Sequence, residues 1–212
     1  MSTVLFPMGV PIEKRLFDLI VSGMALLILS PFILVISIVV FILDGLPILF
    51  IQHRPGLQGH IFQNYKFRTM RILKNGKGDL VPEEKRIFPF GRFLRRFSLD
   101  ELPELVNVIK GEMSIVGPRP LLAEYLPRYS KEQQRRHEVL PGITGWAQIH
   151  GRNALSWEER FQLDVWYVDH WSFWLDIKII FLTVWKVLKG EGITPVKNEI
   201  MEKFMGSQKP KS

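Results

Sequence analysis

From Leu19 to Leu43 the chain reads LIVSGMALLILSPFILVISIVVFIL and carries no charge. No other feature restricts the fold as much. At about 1.5 Å of rise per residue, a helix of this length crosses a hydrocarbon core of about 30 Å. A secretory signal describes it poorly, because the apolar stretch is too long and no small-residue cleavage site follows. A turn signal follows instead, in Asp44, Gly45 and Pro47. Near the middle stand Ser30 and Pro31. Proline removes a backbone donor, and its ring crowds the carbonyl of Leu27. In lipid the freed carbonyl needs another donor, and a serine hydroxyl can bond nearby backbone. The pair predicts a kink or a break.

Charge at the two ends sharpens this. Lys14 and Arg15 precede the segment, and a basic region follows it. Basic flanks stay on the cytoplasmic side. A kinked span satisfies one flank only. A helix that enters, turns at Ser30-Pro31 and returns satisfies both. The expected architecture is α+β and membrane-associated. It has a re-entrant helix-break-helix hairpin within residues 1–46, a domain over 47–206, and a disordered tail over 207–212. Asp18 is expected at the interface, near Lys14 or Arg15.

At 212 residues the length suits one domain with an appendage. The formal net charge of +7 points to an anionic partner. With no cysteine in the chain, disulfides, thiolate chemistry and cysteine-bound zinc are excluded. Tryptophans gather late, in SWEERFQLDVWYVDHWSFWLDIK, which suits a membrane interface or a packed core.

Beyond Pro47 the pattern shortens. ILFIQHRPG and IFQNYKFRTM read as a small β-hairpin turned by Gly56 and Gly59. KNGKGDLVPEEKR reads as a loop without the Walker glycine spacing. PELVNVIKG reads as a short helix, with Pro103 at its start and Gly111 past its end. A further helix follows Ser130. Another is capped by Ser156, with Glu159 three residues on. LDIKIIFLTVWKVLKG sets Lys178, Lys186 and Lys189 against an apolar face, as an amphipathic interfacial helix does. An ordinary core helix fits the same pattern. HEVLP lacks the second histidine of a zinc helix, and the five histidines show no metal spacing.

Asp100 and Glu101 are the chemical candidates. Ser98 and Glu101 fit a capping box, which by itself gives the acids a structural role at a helix start. Their neighbours argue for more. Lys66 and Arg68 alternate on a strand and share a face. Arg119 is braced between Pro118 and Pro120, Arg152 follows Gly151, and Arg95 lies just upstream. Arginine forks match phosphate oxygens. Two carboxylates among such cations are also a place for Mg2+, which binds through one or two carboxylates plus substrate phosphates.

Several motifs then stand together: Ser30-Pro31 in its apolar hairpin, YKFRTM, GRFLRRFSLDELPELVNVIKGEMSIVGPRPLL, PGITGWAQIHGRNALSWEERF and LDIK. In this order, from about Lys14 to Gly190, the chain resembles the monotopic polyprenol-phosphate phosphoglycosyl transferases of bacteria, in their minimal catalytic form without a transmembrane domain in front. The resemblance implies transfer of a sugar-1-phosphate from a UDP-sugar to undecaprenyl phosphate, with release of UMP, as the first membrane step of glycoconjugate assembly. It implies Asp100 as nucleophile, forming a covalent phosphosugar-aspartate, and Glu101 beside it placing Mg2+. It implies Arg119 as a donor-phosphate ligand and Ser30-Pro31 as the helix break of a re-entrant membrane helix. Lys66, Arg95 and Arg152 fall in matching motifs as substrate-binding candidates. The implied location is the bacterial inner (cytoplasmic) membrane, among its lipids, with the catalytic domain on the cytoplasmic face.

Two other classes share these residues. One is a membrane-bound glycosyl transferase that releases UDP. The other is a basic, non-enzymatic membrane scaffold. A glycosidase is a poorer fit, because its paired acids face each other across a sugar. Nucleic-acid binding is poorest, since no recognition motif accompanies the basic residues. The identity of the sugar and homo-oligomer formation are left open by the sequence.

Overall fold

The computed structural model describes residues 5–73, 79, 81–151, 154–189 and 203–206. Helix α1 (Ile12–Asp44) contains Pro31 and runs through it without interruption. Ser30 Oγ donates to Leu27 O at 2.8 Å. That carbonyl is the one a proline at position 31 deprives of its helical donor. The pair is therefore a repaired proline site within one helix rather than a gap between two. Among the described residues, α1 is the helix long and apolar enough to cross a membrane.

Both flanks of α1 are docked on the rest of the chain. Val21, Ala25 and Leu26 pack against a core built on Leu105, Val108 and Met113. Ile36 and Val40 share a second cluster with Phe67 and Leu94. Between the flanks, Leu27, Ile28, Phe32, Leu34 and Val35 are exposed.

The charges at the start of α1 do not lie at an interface. Lys14, Arg15 and Asp18 are all buried. Asp18 Oδ1 accepts from Ser114 Oγ at 2.9 Å and from Ile115 N at 3.0 Å. Arg15 donates to Val108 O and Ile109 O at 2.7 and 2.8 Å. The interfacial placement expected for Asp18 is thus corrected: protein donors hold it, because a carboxylate excluded from water needs hydrogen bonds. The same burial removes Lys14 and Arg15 from any count of free flanking charges.

Strands β1 (Leu49–Pro55) and β2 (Ile61–Phe67) form the expected antiparallel hairpin, with Leu49 opposite Phe67 and Pro55 opposite Ile61. Gly59 takes a left-handed φ of 76° in its turn. A one-turn helix, α2 (Glu83–Arg86), precedes α3 (Pro89–Arg96). Helix α4 (Glu104–Lys110) starts after Pro103 and ends at Gly111, whose φ of 82° is the left-handed stop a glycine permits. Arg15 covers carbonyls in its last turn. Strand β3 (Ser114–Val116) follows, then α5 (Lys131–Gln134), capped by Ser130. Strand β4 (Gly142–Thr144) pairs in parallel with β3. Helix α6 (Trp146–His150) leads to α7 (Trp157–His170), where Ser156 and Glu159 form the expected capping box. Helix α8 (Phe173–Lys189) buries Asp176 and Ile179 and exposes Trp174, Phe181, Trp185 and Leu188. The tryptophans divide accordingly: Trp157 joins an aromatic cluster with Tyr125, Phe161 and Phe204, while Trp174 and Trp185 are exposed. The exposed apolar stretch in α1 and the one on α8 are surfaces of the kind a membrane covers.

Candidate active site

The acid pair lies where the chain turns between α3 and α4. Ser98 has a φ of 54°, in the left-handed region, and a 3-10 turn over Leu99–Glu101 follows. The expected Ser98–Glu101 capping box is not formed, since the Ser98 side chain caps nothing. A capping serine needs extended backbone, which Ser98 does not have. Glu101 has also found stronger partners, because charge-assisted bonds outweigh neutral ones.

Those partners come from two other segments. Lys66, near the end of β2, puts Nζ 2.6 Å from Glu101 Oε1 and 3.2 Å from Glu104 Oε1. Arg119 grips Glu101 with both terminal nitrogens, Nη1 to Oε2 at 3.3 Å and Nη2 to Oε1. Asn64 Nδ2 completes Glu104 at 3.0 Å. Burial works against the Glu101 charge, but Arg119 and Lys66 outweigh it and hold this carboxyl well below the usual range. Burial, then the Glu101 charge, pushes Glu104 up. Arg119 is pushed up by Glu101.

Asp100 differs from its neighbour. Among the described residues its carboxylate forms no hydrogen bond or ion pair, although it lines a cleft of about 1380 Å³. Burial and the Glu101 charge raise its pKa, against Lys66, Arg119 and Arg95.

The arginine loop is fixed from behind. A Cβ on Gly117 would strike the Leu140 carbonyl, so the loop lies directly on neighbouring backbone. Arg136 Nη2 donates to Arg119 O at 2.7 Å and is itself paired with Asp164 at 2.7 Å, both side chains buried. Arg119 keeps 38% of its side-chain exposure, so its guanidinium reaches the cleft. Arg95 also lines the cleft, with Nε 2.9 Å from Thr69 Oγ1. A Cβ on Gly91 would strike the Thr69 carbonyl, and that close approach brings α3 to Thr69.

Of the residues singled out in the sequence, Asp100, Glu101, Lys66, Arg95 and Arg119 come together. Arg152 lies outside the described residues, as do the 207–212 tail and much of the polar loop before α2. Arg68 lines the same cleft but is bound to Asp44, with Nε 2.8 Å from Oδ2, so it ties down the end of α1. Ser30 and Pro31 are not cleft residues, though Ala25 and Leu29 of α1 are. Glu104, Arg136, Asp164 and Arg54 escaped the sequence reading. Glu104 sits directly after Pro103, in the first-turn place where an acid is usually credited to the helix dipole.

The donor set suits a Mg2+ bound mostly through substrate. The Asp100 oxygens have no hydrogen-bond or ion-pair partner among the described residues, whereas Glu101 already serves two cations. Among the described residues, no group of three or more His, Cys, Asp or Glu side chains is arranged to hold a metal.

A long apolar helix docked on a small mixed domain, with an acid pair inside a cationic cleft, defines the class: a mixed helix-and-sheet protein with one long apolar helix and a charged cleft. The comparison with known families is specific: residues 10–190 match the bacterial sugar transferase family, and the chain belongs to it. It is 56% identical over 196 residues to the uncharacterized sugar transferase EpsL of Bacillus subtilis, covering 92% of this chain and 97% of that one. It is 40% identical over 183 residues to the UDP-glucose:undecaprenyl-phosphate glucose-1-phosphate transferase of Escherichia coli, covering 82% of this chain and 39% of that protein. It is 39% identical over 196 residues to the undecaprenyl-phosphate galactose phosphotransferase of Salmonella typhimurium, covering 84% and 41%. The chain thus spans about two fifths of the length of these last two relatives.

Proposed function

We propose that this protein transfers a sugar-1-phosphate from a UDP-sugar to undecaprenyl phosphate. The carrying observation is the Asp100 carboxylate, unpartnered among the described residues, in a cleft beside the Glu101–Lys66–Arg119 cluster. An Asp100 oxygen attacks the sugar-side phosphorus. The bond from that phosphorus to the bridging oxygen breaks, and UMP leaves with that oxygen and the electron pair. An oxygen of undecaprenyl phosphate then attacks the same phosphorus. The Asp100–phosphorus bond breaks, the carboxylate is restored, and a polyprenyl diphosphate sugar departs. Dividing the transfer lets a soluble donor and a lipid acceptor use one site in turn. Lys66 and Arg119 hold Glu101 in place, and Arg119 and Arg95 present positive charge to the phosphate oxygens. Asp100, with Glu101 beside it, would hold Mg2+ together with donor phosphates, and the ion would supply further positive charge there.

The cleft suits both substrates. Cations surround the acids, while Ala25 and Leu29 of α1 and Val187 of α8 give it an apolar side. The membrane reading follows: α1 dips into the cytoplasmic face of the bacterial inner membrane and returns. Docked flanks around an exposed centre support that reading. Because the chain lacks cysteine, single cysteines at Met8 and at Gln58 give clean reporters. A membrane-impermeant thiol reagent should label both from the cytoplasmic side only. Labelling from opposite sides would establish a span.

The reaction is tested by nucleotide release. Protein in nanodiscs receives a panel of UDP-sugars, undecaprenyl phosphate and Mg2+. UMP is the expected product, and its donor names the sugar. UDP as product would make the protein an ordinary glycosyl transferase. No nucleotide from any donor would favour the scaffold.

A further inference from the structure

Arg54 lies on β1 opposite Phe62 and lines the cleft that holds Asp100 and Arg119. Its surroundings are unusual for a half-buried arginine. Nη2 donates to the neutral Gln52 Oε1 at 2.7 Å. Nε is buried without an acceptor. Among the described residues no carboxylate pairs with it, whereas Arg119 has Glu101, Arg136 has Asp164 and Arg68 has Asp44. Burial, then the like charge of Arg119, lowers its pKa to about 10, against the weaker pull of Glu104, Tyr125 and Tyr129. The fold thus carries a desolvated cation beside another cation, with no ion pair among the described residues to offset the cost.

The hairpin register gives an order along the cleft. Lys66 lies opposite Phe50, and Arg54 follows further along β1 on the same face. Lys66 binds Glu101, the neighbour of Asp100, so Arg54 lines the cleft beyond the acid pair. A UDP-sugar carries two phosphates joined by one oxygen. With the sugar-side phosphorus at Asp100, the nucleotide-side phosphate extends along the cleft toward Arg54.

We propose that Arg54 binds the nucleotide-side phosphate of the donor, the one that departs in UMP. This rests on the phosphosugar-transfer reading. Arg119, already gripped by Glu101, then serves the reacting phosphate, and Arg54 serves the leaving one. The guanidinium fork matches phosphate oxygens at two points, which lysine does not.

The test uses UMP as probe, on full-length protein in nanodiscs, with R54Q and R54K. Binding of UMP is read by calorimetry, and KM by steady-state kinetics with the donor found active. R54Q should weaken UMP binding and raise donor KM by about tenfold or more. R54K should fall between R54Q and wild type, and KM for undecaprenyl phosphate should stay unchanged in both. Unaltered UMP affinity in folded R54Q overturns the proposal. So does a raised KM for undecaprenyl phosphate with donor KM intact, which would put Arg54 on the lipid side. If R54Q fails to fold, R54K decides: a loss of UMP affinity supports the assignment, and wild-type affinity overturns it. Wild-type protein that releases UDP sinks the underlying reading whatever Arg54 does. Wild-type protein that releases UMP, with UMP binding indifferent to Arg54, sinks this inference alone.

Discussion

Lys14 and Lys66 are both ammonium groups held against carboxylates, and the fold treats them differently. Lys14 Nζ meets Asp176 at 2.5 Å, Val116 O at 3.0 Å and the Tyr167 hydroxyl at 3.3 Å. All three of its donors are used. Asp176 also accepts from Tyr167 and from Trp171 Nε1. That cluster joins α1, β3, α7 and α8, and every member is bonded within it. Lys66 meets Glu101 and Glu104 at the edge of an open cleft, beside an Asp100 with no partner among the described residues. A charge answered wholly by protein holds elements together. A charge cluster left short of partners is fitted for a ligand.

The comparison breaks most sharply under substitution. Asp100→Asn should lower turnover by about 10⁴-fold or more, the scale of losing a nucleophile, while the thermal midpoint stays within a few degrees. Full activity in that variant would remove Asp100 as nucleophile. Lys14→Met should do the reverse. It strands Asp176 in the core, and breaking a buried pair from one side costs about 3–5 kcal/mol. Thermal melts in nanodiscs should show a large drop, with per-molecule activity of the folded fraction nearly intact. A Lys14→Met protein that is stable but inactive would erase the distinction between the clusters.

These two regions also differ in how far the sequence revealed them. The open site was legible because its parts are local or motif-borne: adjacent acids, a proline-braced arginine and a basic strand. The β-hairpin, the Ser156–Glu159 cap and the uninterrupted apolar stretch were legible for the same reason, since periodicity and capping act over a few residues. The closed cluster was not. Lys14 and Asp176 are 162 residues apart, and nothing near Lys14 marks a distant carboxylate. As a basic residue before an apolar segment it read as an interfacial charge. The β3–β4 pairing, two three-residue strands in parallel, is equally silent, because such short strands carry no period. The capping box expected at Ser98 failed where tertiary partners took Glu101. Arg54 was invisible because its signal is the absence of a partner, which only the assembled cleft defines.

Within the open cluster a finer contrast separates the two acids. Burial and Glu101 raise Asp100 above its ordinary 3.8, while Arg119 and Lys66 bring Glu101 below its ordinary 4.5. In the proposed mechanism Asp100 attacks as the ionised carboxylate, so activity should fall with acid through a pKa raised above the ordinary aspartate value. For stability the sign is opposite between the two. A depressed Glu101 contributes stability that is present above its unfolded value and lost as pH falls toward its folded one. A raised Asp100 favours the protonated folded state, so its own titration does not unfold the chain on the way down. Activity should therefore fail at a higher pH than the fold does. Log kcat/KM against pH, set beside thermal midpoints over the same range, measures the gap, and coincident limbs would mean that acid unfolding explains both. Glu101→Gln sharpens it further. Removing that charge takes away a repulsion on Asp100 and frees Lys66 and Arg119 from Glu101. The acid limb of the residual activity should then move to lower pH. Asp100 also faces Arg95 from α3, and Glu104 stands behind Lys66 on α4. Neither is altered by the variant, so an upward shift would mean that Glu101 does not raise the pKa of its neighbour.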